Sequence, residues 1–492
     1  MRKFGVVALI FILLFTAISP VFSEGSLAAD LKGQAQLLSD EFSVLSALED
    51  RNQNTYLTFG ENSEITLQSE TPIAALYVEF DRIPDRWELK IEENDTSYIC
   101  GTNGFLHEFV DVFQLCSSSV NTVSLSFKTQ TAVAEIYAFS EGDLPDFVQR
   151  WEYKDTPCDL LLLPTHSDDD QLFFAGIVPT YVAKGLDVQV AFFAHHWATH
   201  DRPHELLNAL WHAGLVRYPL ISEFVDAYSE SAKGAEDQLA YDGFSREDVL
   251  LYQTRLLRQY RPQVVVGHDL KGEYGHGQHM YNAETLCEAL ELAKDELYDA
   301  QSFEEFGTWD VLRCYLHLYE DNAVVCNFDE PLQYFGGKTA FEVSKEAFAF
   351  HHSQQWTWFS DWIDVDRADQ INLYSPTKYG LYYAANADTK PNADFFDGLE
   401  TYAVQEELKQ LEEEIAQKLE EERKENEEEL QKIETEMENL GESLDETKTK
   451  LDSNTRLLWI LLVVSASLIL VFGVIISMQK NKYRRNLGKK GR

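Results

Sequence analysis

Two stretches about a hundred residues apart hold the side chains best suited to chemistry. The first is Leu160-Leu161-Leu162-Leu163-Pro164-Thr165-His166-Ser167-Asp168-Asp169-Asp170, and the second is Gly267-His268-Asp269-Leu270-Lys271-Gly272-Glu273-Tyr274-Gly275-His276-Gly277-Gln278-His279. In each, an apolar run ends in a cluster rich in His and Asp and a helix-like pattern follows, which is how a buried parallel strand delivers ligands to the carboxyl edge of a sheet. Adjacent carboxylates on a tight loop point in different directions, so Asp169 can ligate a metal while Asp168 faces its open side. His276 and His279 are three apart, which puts both rings on one side where a loop runs into a helix. His166, Asp169 and His279 then supply two imidazoles and a carboxylate, a zinc ligand set with positions left for water and substrate. Zinc acidifies water toward neutrality, Asp168 is placed to take the proton as general base, and His276 to stabilise an oxyanion or protonate a leaving amine. Taken singly, a His is more often a hydrogen-bonded core residue and an Asp triplet a helix cap or turn. Their joint occurrence at two strand ends points to a metal-dependent hydrolase.

The elements around them follow a β-α-β-α rhythm from Cys158 to about Tyr402. Strand-like Leu160 to Leu163 precedes helical Gln171 to Ala183, strand-like Val188 to Ala194 precedes helical Pro203 to Ala213, and helical Arg246 to Tyr260 precedes strand-like Gln263 to Val266 and helical Tyr281 to Leu292. This alternation predicts a doubly wound, Rossmann-like α/β sheet over residues 151 to 401. With no Gly-rich phosphate loop, a Walker or dinucleotide enzyme is disfavoured. Residues 24 to 50 read as a polar helical lead-in. Across residues 51 to 150, short runs such as Ala75 to Phe80, Trp87 to Ile91 and Thr122 to Phe127 alternate between turn residues and predict an antiparallel β-sandwich. Sugar binding and simple spacing are equally open roles for it.

Targeting signals frame these domains. Met1-Arg2-Lys3 before an apolar run reads as a signal peptide over residues 1 to 23. Residues 456 to 478 contain an uncharged apolar run long enough to span a bilayer, and a basic tail over 479 to 492 places that end in the cytoplasm and the rest outside. Between them, residues 402 to 455 are charge-dense, with Leu408, Leu411, Ile415, Leu419, Leu430, Ile433, Met437 and Leu440 at three-four spacing, the pattern of an acidic coiled coil capable of homo-oligomerisation. The formal net charge is −42, most of it on residues 24 to 401, which argues against nucleic acid as a partner. Outside the membrane disulfides are permitted; Cys100 with Cys116 and Cys314 with Cys326 are the local candidates, and Cys158 and Cys287 read as inert thiols.

At the two chemical stretches the chain resembles the N-acetylglucosaminyl-phosphatidylinositol de-N-acetylase family, the PIG-L or LmbE-like deacetylases. Thr165 to Asp170 matches the family's His-Pro-Asp-Asp-Glu signature after a strand, and Tyr274-Gly275-His276-Gly277-Gln278-His279 matches its His-x-x-His; Ser167 replaces Pro and Asp170 replaces Glu. The resemblance implies zinc on His166, Asp169 and His279, Asp168 as base, His276 as acid or oxyanion partner, and hydrolysis of an acetamide on a glucosamine-type sugar or glycan. It also brings Arg202, in Arg202-Pro203-His204-Glu205, and Tyr274 forward as substrate contacts, with helix start and packing as the plainer readings. An amidase on another N-acyl compound and an inactive glycan-binding stalk protein are the rivals. His195-His196 and the group His351-His352, Trp356, Trp358 and Trp362 read either as the surroundings of a pocket or as packing.

Overall fold

A computed structural model describes residues 26–450 and 455–487. The expected signal peptide lies outside the described residues. The chain groups into two compact units, one ending at Ala403 and the other beginning at Val404.

The first unit contains three sheets. In the five-stranded antiparallel sheet the order is Ala35–Ser39, Ser63–Ile73, Val120–Phe127, Trp87–Ile91 and Thr96–Cys100; in the four-stranded one it is Leu57–Phe59, Thr131–Phe139, Ala75–Phe80 and His107–Asp111. Ile65, Leu67, Leu89, Val123 and Leu125 from the first sheet join Phe59, Leu76, Val78 and Phe80 from the second in one buried cluster. Two expectations need correcting here. Residues 24 to 50 are not a helical lead-in, because Ala35–Ser39 pairs antiparallel with Ser63–Ile73 and alternates in exposure, the period of a strand with one buried face. Nor are the proposed disulfides formed. All six cysteines are free; Cys326 Sγ donates instead to Ala393 O at 3.3 Å, while Cys314 lies within a central strand.

The third sheet has seven strands in the order Leu220–Ile221, Val188–Phe192, Leu160–Leu162, Val264–Gly267, Arg313–His317, Lys378–Ala384, Ala323–Val325. The first five run parallel and the last two pairings are antiparallel. The parallel strands are buried on both faces, which explains their uninterrupted apolar sequences. From Leu160–Leu162 the chain proceeds to one side of the sheet and then, through Val264–Gly267, to the other. The crevice where a doubly wound sheet takes its ligand therefore lies beyond the carboxyl ends of these two neighbours. The helix expected from Gln171 begins only at Ile177, after a run of turns; Gly176 sits at φ 93° against Phe328, where a Cβ would come within 2.4 Å of the ring.

The antiparallel sheets pack on the helix Asp201–His212. Ala75–Phe80 is buried at every position, unlike a half-solvated strand, because its second face is covered as well. His107 Nε2 meets His204 Nδ1 at 2.6 Å, and Gln149 Nε2 and Asn208 Oδ1 are 2.7 Å apart. Phe105 stacks on Tyr218 with 4.5 Å between ring centres.

The second unit holds most of the helix Tyr402–Lys450 and all of the helix Thr455–Leu487. Within the latter, Leu461–Lys480 has a mean hydropathy of 2.7 and is long and apolar enough to cross a membrane.

Glu79 supplies a pH test of the packed sheet. Burial pushes its carboxyl up to about 8, against the lowering effect of a hydrogen bond with Gln53. The folded state thus binds this proton more tightly than the unfolded chain, so the associated stability is full below the unfolded carboxylate pKa and is lost as pH rises to about 8. Urea midpoints should fall between pH 5 and pH 8.5, with Glu79→Gln flattening that fall; an unchanged slope in the variant would place the titration elsewhere.

Candidate active site

The turn after Leu160–Leu162 and the helix Gly277–Leu292 bring the two chemical stretches together. His166 Nδ1 and His279 Nε2 are 3.0 Å apart, and each lies 3.3 Å from Asp169 Oδ2. All three residues are buried. Donors bound to one tetrahedral ion at ~2.0–2.2 Å would be about 3.3 Å apart, so the triangle fits a divalent metal with three protein ligands. His276 and His268 extend the cluster, since His166, His276 and His279 form one group of converging ligand atoms and Asp169, His268 and His279 another. The surroundings favour a positive charge here: burial alone would depress the His166 imidazole, but Asp169 and Asp226 outweigh it and push it up to about 10.

Each ligand is held from behind. Asp169 Oδ2 accepts from the backbone amides of His166 at 2.7 Å and Thr165 at 3.2 Å. His279 Nδ1 reaches Glu273 Oε2 at 2.8 Å, which fixes its tautomer and leaves Nε2 for the ion, and the same carboxylate meets His268 Nδ1 at 2.8 Å and His317 Nδ1 at 2.6 Å. His166 Nε2 faces Gln278 Oε1 at 3.2 Å and Asp226 Oδ1 at 3.4 Å. His196 completes this layer, 3.4 Å from Asp226 Oδ2 and accepting from the Ser167 amide at 3.3 Å.

The remaining sequence-selected residues gather around the triangle. Asp168 is buried, its carboxyl pushed up by burial and drawn down by Arg202, whose Nη2 lies 3.5 Å from Asp168 Oδ1. Arg202 therefore pairs with the candidate base. His276 caps the helix Gly277–Leu292, accepting at Nδ1 from the Gln278 amide at 3.3 Å. Burial, with His166 and His279 beside it, pushes His276 down to about 2, leaving a neutral ring with Nε2–H free to donate. Tyr274 holds its ring 5.5 Å from that of His276 and 5.6 Å from that of His279. His351 is buried beside Phe348, where the charges of Arg202 and Asp169 both reach it, and His352 is exposed.

Glu273, His268, His317 and Asp226 were not singled out by sequence reasoning, and Gln278 was noted only as a departure between the two histidines. Glu273 carried a readable signal, a carboxylate inside the second stretch six residues before a ligand His. Asp226 comes from the loop after a two-residue edge strand and had none. A cavity of about 1020 Å³, bordered by Phe109, Phe147, Trp211 and Tyr334, lies apart from these residues.

No protein-family model matches the chain. It is 28% identical over 188 residues to a 1D-myo-inositol 2-acetamido-2-deoxy-alpha-D-glucopyranoside deacetylase of Rhodococcus jostii, covering 34% of this chain and 63% of that protein. Over that stretch the chain is similar to this deacetylase. A protein of the same description from Catenulispora acidiphila is 27% identical over 179 residues, 32% of this chain and 54% of its own length. The chain thus spans about three-fifths of the length of these curated relatives. Among solved structures, N,N'-diacetylchitobiose deacetylase of Pyrococcus horikoshii is 15% identical, with a TM-score of 0.34 over 47% of this chain and 87% of that one. The sequence similarity to the two acetamido-sugar deacetylases agrees with the likeness to PIG-L and LmbE-like enzymes carried by Thr165 to Asp170 and Tyr274 to His279.

Two substitutions separate ligand from support. Asp169→Ala should abolish stoichiometric divalent-metal uptake measured by elemental analysis of the full chain in detergent. Glu273→Gln should retain the metal but weaken its affinity about 10–100-fold in chelator competition, because the His279 Nδ1–H loses its charged partner. Unchanged affinity would remove Glu273 from the metal's support.

Proposed function

We propose that the protein is a zinc-dependent hydrolase that removes N-acetyl groups from an N-acetylglucosamine-type amino sugar or glycoconjugate outside the cell membrane. The triangle of His166, Asp169 and His279, with Asp168 and His276 beside it, carries this reading, and the relationship to curated acetamido-sugar deacetylases supports it. His166, Asp169 and His279 would hold a divalent ion, which when bound would supply Lewis acidity toward the acetamide carbonyl and acidify water. Asp168 takes the proton from the attacking water, and Arg202 holds its carboxylate in place. His276 Nε2–H donates to the charge developing on the carbonyl oxygen, and the proton collected by Asp168 is passed to the leaving amine. Tyr274, half-buried among the rings, closes the side of the site next to His276. The products are acetate and the free amino sugar.

The same reading extends to the rest of the chain. The two antiparallel sheets form a β-sandwich whose clearest support is the cluster shared between them, and glycan binding is a role consistent with it. Leu461–Lys480 anchors the protein as a single-pass membrane protein; Lys480, Lys482, Arg484 and Arg485 favour a cytoplasmic tail, with the site on the outer side. In the helix Tyr402–Lys450, Leu408, Ile415, Leu430 and Leu440 are 44%, 50%, 60% and 69% exposed in the single chain, an apolar seam suited to a coiled coil between copies.

Acetate release from N-acetylglucosamine-type substrates tests the reaction. Asp168→Asn should keep zinc yet lower kcat by about 10²–10⁴-fold, the usual worth of a positioned base. His276→Ala should lower kcat with zinc retained. Equal zinc loss in Asp168→Asn and Asp169→Ala would show that the two carboxylates share the ion. Sedimentation of the full chain in detergent tests the seam: the wild type should exceed monomer mass, and Leu430→Glu combined with Met437→Glu should return it to monomer.

A further inference from the structure

One aromatic group remains unused by the chemistry described above. It begins at the metal cluster and ends in solvent. Phe173, fully buried, lies 5.7 Å from the His279 ring and 5.6 Å from Phe359. Phe359 is in turn 4.1 Å from Trp358, which lies 6.2 Å from Tyr274 and is 46% exposed. Two residues earlier, Trp356 is 83% exposed. Trp358 thus leaves part of an indole in water beside a polar site, and the same loop carries a second, more exposed indole.

The loop that presents them is fixed. Ser353 donates through its amide to Glu205 Oε1 at 2.7 Å and through its hydroxyl to Glu205 Oε2 at 2.6 Å; Glu205 is buried and three residues from Arg202 on the same helix. Trp356 Nε1 donates back to Ser353 O at 2.7 Å, which sets the direction of that side chain, and Trp362 Nε1 donates to Leu373 O at 2.9 Å. A rigid, exposed aromatic surface is preorganised and loses little freedom when a ligand settles on it.

We infer that Trp358 and Trp356 form a stacking platform for sugar rings next to the one that reacts, so that the substrate is an oligosaccharide of N-acetylglucosamine rather than a single sugar. The inference rests on the deacetylation reading for the identity of the reacting ring. The apolar C–H face of a pyranose covers an indole ring, while the hydroxyls at its rim stay in water. Trp358, one ring away from Tyr274, is in position for the neighbouring unit, and Trp356, more exposed, for one farther out.

The test compares acetate release by the full chain in detergent from N-acetylglucosamine and from its β-1,4-linked tetrasaccharide. The wild type should prefer the tetrasaccharide in kcat/KM. Trp358→Ala and Trp356→Ala should each reduce that preference by up to about tenfold, chiefly through KM, and Trp358→Phe should restore most of it. A preference unchanged in both alanine variants, or a wild type that prefers the monosaccharide, overturns the platform. If the wild type releases acetate from neither, the deacetylation reading falls, and calorimetry decides the platform alone: tetrasaccharide binding to the wild type that is lost in Trp358→Ala sustains it, and equal or absent binding overturns it.

Discussion

A single buried carboxylate sets the geometry on which the site depends. Glu273 is fully buried, and removing a carboxylate from water is so costly that it must be surrounded by donors. Burial acts to raise its pKa, but His268, His279 and His317 reverse this and hold it well below the usual carboxylate range. Because an ionised carboxylate only accepts, the three imidazoles must turn their Nδ1–H groups toward it. That one requirement ties the end of Val264–Gly267, the helix Gly277–Leu292 and the strand Arg313–His317 together, and it directs His279 Nε2 to Asp169 and His166. Asp169 repeats the arrangement on the other side, with backbone amides in place of one set of rings.

The helix Asp201–His212 transmits a second constraint. One side of it contributes Arg202 to Asp168 and Glu205 to the Ser353 loop; another is clamped by His107, Gln149 and Gln53. The clamp is nearly dry and uncharged, since burial pushes His107 down to about 4 and His204 well below its ordinary value. Two neutral imidazoles can share a hydrogen bond, whereas two charged ones at 2.6 Å would repel. The antiparallel sheets are thus part of the framework that places Arg202, whatever else they bind.

What could be read from sequence was local. Strand ends followed by His and Asp clusters are written in consecutive residues, so the approach of Thr165–Asp170 to His276 and His279 was legible, as was the helix Arg246–Tyr260 to the residue. Residues that act across the fold were less so. Asp226 reaches His166 and His196 from a loop with no pattern of its own, and Glu273 announces its role only when three separate elements surround it. Ala35–Ser39 is too short for helical and strand periods to be told apart without its partner Ser63–Ile73. The cysteine pairs failed because closeness in sequence does not by itself bring sulfurs together: Cys314 is locked in a central strand, and Cys100 and Cys116 end an edge strand and a short helix.

Tyr274 shows how function and local strain meet in this site. Its backbone lies at φ 45°, ψ 22°, the left-handed region that costs a non-glycine residue ~1–2 kcal/mol. Gly272 before it is also left-handed, and a Cβ there would come within 2.4 Å of His276 O, so the turn is tight enough to exclude most alternatives. Glycine or asparagine at position 274 would relieve the strain, and a tyrosine is retained only where its side chain gives something back. Its ring meets Phe173 at 5.8 Å, Phe359 at 5.6 Å and Trp358 at 6.2 Å, and also His276 at 5.5 Å. Aromatic contacts of this kind are worth ~0.5–1.5 kcal/mol each, enough to offset the backbone cost. The strained residue is therefore the joint between the His–Asp cluster and the aromatic surface beyond it, and the compressed turn that strains Tyr274 also delivers His276 to the start of its helix.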